Sequence, residues 1–148
     1  MKLVYLTIFL PAIFLCCKKA SSTGETSSSD VKALETQVMT LHDEVMPKVN
    51  DISGLSAQLR KFKSDLPESP DGRVETPDSL MQVMEDLKLA EQGMWDWMKS
   101  YSDTKETLTE DQLKPFLEKQ LEILTKVAND MNSSIENAKS WLASHPTK

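Results

Sequence analysis

The sequence predicts an all-α protein: an up-down-up bundle of three helices with coiled-coil-like heptads and a long first helix kinked near Pro47. Three observations carry this. Apolar residues recur at alternating three- and four-residue steps from Val31 to Leu142, and two turn-rich segments divide that pattern. With only 4 glycines in 148 residues, the chain is also too glycine-poor for most sheet proteins. This length fits one domain, and 39% apolar residues beside 27% charged ones are too many for a wholly disordered chain.

The first element is a leader over residues 1–16. Lys2 precedes an apolar run from Leu3 to Leu15, interrupted by Thr7 and Pro11. Such a run matches a secretory signal peptide and is short for a bilayer span. It ends at Cys16-Cys17 rather than at a small-x-small cleavage site, which resembles the lipobox of bacterial lipoproteins. Cys17 is the predicted lipidated residue, with small Cys16 before the cleavage point; lipidation at Cys16 instead would put bulky Leu15 there. Cleavage removes Lys2, leaving 16 of the 17 basic residues against 23 acidic ones, a net charge of −7. An acidic body is repelled by anionic headgroups, so acyl chains would hold the protein to the membrane. Residues 17–29 comprise the lipidated Cys and a Ser/Thr-rich stretch predicted as a flexible tether, and residues 30–148 form the helical domain.

The first helix is expected near 30–66, where Val31, Leu34, Val38, Leu41, Val45, Ile52, Leu55, Leu59, Phe62 and Leu66 keep one phase. Pro47 deletes a backbone hydrogen bond inside it, so the alternative is a break there and four helices. Leu66 to Gly72 reads as a stop and a turn. Thr76-Pro77-Asp78 reads as N-cap, first-position proline and first-turn acid of a second helix near 77–102. Thr109 with Gln112 forms a capping box for the third helix, which buries Leu117, Leu121, Leu124, Ala128, Met131, Ile135, Ala138 and Leu142 before His145-Pro146 ends it. The first helix is longer than the second. The turn carrying Val31, Leu34 and Val38 therefore overhangs, to be covered by Leu108–Leu113 and Phe116, by a second copy, or by a partner.

Several function classes are excluded. The glycines are too far apart to frame a phosphate loop. The adjacent cysteines offer neither a disulfide framework nor a thiolate zinc site, and a net charge of −6 speaks against nucleic acid. His42-Asp43-Glu44 cannot converge on one ion, because successive helical residues point about 100° apart. Glu35 and His42 share a face and are the weak candidates for a metal, two ligands being a poor site. Glu91 beside the core stripe is expected to lean outward or to meet a Lys or His42. His145 lies in a fraying end, which removes a serine–histidine pair. Trp95 stands apart from the seam residues Met94, Trp97 and Met98; it is either packed under a loop or an anchor for a protein partner. No catalytic residue and no cofactor is predicted.

His42-Asp43-Glu44-Val45-Met46-Pro47-Lys48, Met94-Trp95-Asp96-Trp97-Met98 with Tyr101, and Met131-Asn132-Ser133-Ser134-Ile135-Glu136 with Ala138 resemble small lipoproteins of Bacteroidota often labelled "viral A-type inclusion protein". The resemblance spans most of residues 30–142. It implies an anchored helical bundle in a Gram-negative host and carries no known activity or site residue. The expected function is a lipid-anchored cell-envelope protein acting as a non-catalytic binding or structural module, with Trp95, Val31, Leu34 and Val38 as candidate contacts for a protein partner or a homodimer. A small-ligand or metal-binding bundle using His42 is the alternative. The expected place is the outer membrane facing the periplasm, with surface exposure as the other option.

Overall fold

The computed structural model describes residues 23–72 and 76–146, which are helical apart from their connections. The leader 1–16, Cys17 and the tether up to residue 22 lie outside the described residues. Four helical segments follow in order: α1 (Thr23–Val45), α2 (Lys48–Ser64), α3 (Asp78–Lys105) and α4 (Glu110–Ser144). α1 and α2 are one helix bent at Met46–Pro47, so the architecture is the three-helix, up-down-up bundle. The bend has a local cause. Met46 N–H still donates to the His42 carbonyl (2.8 Å), but Pro47 has no N–H, and the next bonds are the tighter Val49 to Met46 (3.1 Å) and Asn50 to Pro47 (3.1 Å). Pro47 itself keeps helical dihedrals (φ −58°, ψ −25°), so the apolar phase passes through and Val45 and Ile52 are both buried.

Two boundaries differ from expectation. α1 starts at Thr23 rather than Asp30, so the second half of the predicted tether is helical. Once the seam nucleates the helix, each added residue forms a bond at little cost, and Ser, Thr and Glu are only a few tenths of a kcal/mol poorer than Ala. At α3, Pro77 is extended (ψ 135°) and occupies the cap position itself, accepting from Leu80 N–H (3.0 Å). Thr76 is therefore one residue outside the helix. The capping box at Thr109 and Gln112 forms as predicted, with Thr109 N–H donating to the Gln112 side-chain carbonyl at 3.1 Å.

The core runs the length of the bundle, from Val38 and Tyr101 to Leu80 and Trp141. α4 packs on all three other segments, whereas α1 packs chiefly on α4. That geometry answers the overhang. Val38 is fully buried, and Val31 and Leu34 are half-buried against the core cluster. Val38 is thus a core residue and not a surface contact: Glu35, one turn before it, already pairs with Lys105 at the end of α3, and α4 packs along α1. A helix with neighbours on several sides buries a wider stripe than a two-helix seam. α4 accordingly buries Gln120 and Trp141, while the seam positions Leu121 and Leu142 are half-buried.

Candidate functional site

The Pro47 bend leaves an open hollow of about 480 Å³ between the kink and α3. His42, Asp43, Met46, Pro47, Val49, Asn50 and Trp95 line it. Trp95 is 46% exposed. Its position follows from the helix: Met94 and Trp97 fill the core, and the residue between them is carried about 100° around the axis. The loop-covered reading of Trp95 therefore fails, because its indole borders open space. One helical turn further along, a second hollow of about 310 Å³ continues between α2 and α3, with Ser53, Ser56 and Arg60 on one wall and Met81, Met84, Glu85, Lys88 and Glu91 on the other. Glu91 is half-buried there and forms no ion pair among the described residues.

Behind the first hollow lies an aromatic column. His42 stacks on Trp97 (centroids 5.6 Å apart), Trp97 on Tyr101 (5.1 Å), and Tyr101 lies 5.6 Å from Phe116. Trp97 and Tyr101 are 5% and 9% exposed. Neither the Trp97 Nε1 nor the Tyr101 hydroxyl bonds another described protein group. Lys105 Nζ sits 5.6 Å from the Tyr101 ring centroid and pairs with Glu35, tying α1 to the end of α3. Burial holds the Tyr101 phenol above its ordinary value of 10.0, and the hydrogen bond to Glu35 holds the Lys105 ammonium above 10.5.

These contacts settle where the two weak metal candidates go. Glu35 is engaged by Lys105, and His42 is sandwiched between Trp97 and Asp43, whose carboxylate is 2.9 Å from Nδ1. Among the described residues, no three His, Cys, Asp or Glu side chains group as a metal ion would need. The hollow between α3 and α4, about 300 Å³, presents Asp86 and Asp130. Gln82 already bonds Asp86 (2.7 Å) and Lys126 bonds Asp130 (2.6 Å).

A feature that sequence reasoning missed closes the other end of the bundle. Trp141 packs edge-on against Phe62 (4.8 Å), stacks on His145 (4.0 Å), and donates from Nε1 to Ser79 Oγ (3.1 Å). His145 is therefore docked rather than frayed. It contacts Ser144 Oγ at 3.0 Å, yet that hydroxyl donates to the Trp141 carbonyl (2.8 Å), so the pair is a helix end and not an activated nucleophile. The signal was available: Trp141 is three residues past Ala138, next to the favoured Leu142.

Among the described residues, no helix is long and apolar enough to cross a membrane. The chain matches no protein-family model, no curated protein and no solved structure.

Proposed function

We propose that this is a lipid-anchored cell-envelope protein whose helical domain is a non-catalytic binding or structural module. The observation that carries the reading is the apolar leader ending at Cys16-Cys17, ahead of a bundle in which no described helix is long and apolar enough to cross a membrane. Processing at Cys17 leaves a diacylated N-terminus, and two or more acyl chains give stable attachment where one gives marginal binding. The resemblance to small Bacteroidota lipoproteins supports an anchored bundle in a Gram-negative host, and Lys18-Lys19 directly after Cys17, with no early acidic run, favours the outer membrane facing the periplasm. The binding face is the open side of α2 and α3, where Trp95 borders an apolar hollow.

The anchor is tested in cells fed a labelled fatty acid. Wild type and Cys16→Ala are expected to take up label and to stay with the membrane fraction, whereas Cys17→Ala takes up none. Label retained by Cys17→Ala and lost by Cys16→Ala would move the modified residue to Cys16. No label in any of the three chains would remove the anchor from the reading.

A further inference from the structure

The exposed face of α2 and α3 has two ends of opposite chemistry. At the kink end, Trp95 is 46% exposed beside Asp43, whose carboxylate meets only His42 among the described residues. At the other end, Met81 is 45% exposed. The Lys63 ammonium beside it rests 3.5 Å from the Met81 sulfur, a weak acceptor. Neither Lys63 nor the neighbouring Arg60 forms an ion pair among the described residues, although exposed lysines elsewhere on the bundle do, as at Lys61–Asp65 and Lys126–Asp130.

The spacing of these groups is symmetric. Ser53 of α2 and Lys88 of α3 line the same hollow and mark the middle of the face. Along α3, Met81 and Trp95 stand seven residues to either side of Lys88; along the bent first helix, Asp43 and Lys63 stand ten residues to either side of Ser53. A half-turn about an axis through Ser53 and Lys88 therefore exchanges indole with thioether and carboxylate with ammonium. At these two pairs the face carries its own complement in reversed order, so each contact is made twice; the same half-turn sets Glu85 opposite Glu91 and Lys88 beside its own copy, so the lysines of the two chains lie between their carboxylates. Sulfur over an aromatic ring is favourable, and opposite charges brought together fix the register.

We propose that the α2–α3 face binds a second copy of this chain in an antiparallel, two-fold arrangement, Trp95 of each copy seated on Met81 of the other and Asp43 facing Lys63. The inference rests on the reading of the domain as a binding module and names its partner. Its test uses the full chain in cells with a photo-crosslinking amino acid, p-benzoylphenylalanine, in place of Lys88, and a control chain carrying it at Glu122 on the outer side of α4.

Illumination is expected to give a product of twice the chain mass from position 88 and none from 122, with peptide mapping joining residue 88 to α2 or α3 of another copy. Lys63→Glu is expected to abolish the product, and Asp43→Lys in the same chain to restore it, an outcome that a misfolded variant could not produce. No product from position 88, a product with a different polypeptide, or failure of the charge swap to rescue would overturn the proposal. The cross-link is scored in the Cys17→Ser chain as well, so a failed anchor and a failed dimer read out separately.

Discussion

Tyr101 shows how a single buried group sets a measurable property. Its ring is held between Trp97 and Phe116, and its hydroxyl is buried without a protein hydrogen bond. A buried hydroxyl with no partner contributes a desolvation cost of roughly 1–3 kcal/mol. Tyr101→Phe is therefore expected to match or exceed wild-type stability in urea unfolding at pH 7, and a loss above about 2 kcal/mol would show that the hydroxyl is bonded. Alkaline pH sharpens the comparison. Burial raises the Tyr101 value in the folded chain, so between the unfolded and folded values the native state holds a proton that the unfolded state has released. Stability then falls as pH rises through 10 and beyond. Lys105, also raised, adds a fall of the same sign. The Phe variant loses the Tyr101 titration and keeps only the part of the Lys105 rise that Glu35 causes, so its advantage should widen above pH 10. At this scale the sequence was partly legible. Trp95 and Trp97 separate by helical phase alone, whereas steps along α4 offered both Trp141 and Leu142 after Ala138, and only packing against neighbours on both flanks selects Trp141.

The elements were legible where one local rule decided them. The capping box fixed the start of α4, and the unbroken phase from Val45 to Ile52 fixed the bend at Pro47 as a kink. They were less so at Thr23 and Pro77, where the outcome turned on how far a helix propagates and on which residue takes extended dihedrals. The glycines inside helices give a test at this level. A Cβ built on Gly54 in α2 meets nothing within 4 Å, and one on Gly93 in α3 meets only Val127 Cγ2, at an ordinary 3.9 Å. Neither has the left-handed backbone that Gly72 uses in its turn (φ 78°). Replacing a helical glycine by alanine removes unfolded-state entropy at no steric cost, so Gly54→Ala and Gly93→Ala should each stabilise by about 0.5–1 kcal/mol, read as a shift in denaturation midpoint at unchanged slope. Gly72→Ala should do the reverse. A destabilised Gly54→Ala would mean that this side of α2 is covered in the assembled protein.

Over the whole molecule the packing is uneven. α2, α3 and α4 contact one another, while α1 relies on α4, with the His42–Trp97 stack and the Glu35–Lys105 pair as its ties to α3. The overhang was expected from a mismatch in helix length; its resolution was not legible, because it depends on the register that sets Glu35 beside Lys105 and on α4 packing along α1. A segment held mainly along one side opens at lower free energy than the three that enclose a core. Amides of α1 before Val38 are therefore expected to exchange with deuterium well before those of α4 between Leu117 and Trp141, at a pH where the bundle is fully folded. Val38→Ala should widen that gap. The lost burial costs on the order of 2 kcal/mol and falls on the α1–α4 contact, so exchange in α1 should quicken while α3 between Leu80 and Met94 holds its rate. If α1 and α4 instead exchanged together, and Val38→Ala quickened all four segments alike, the bundle would be a single cooperative unit, and the first helix would be bound as tightly before its bend as after it.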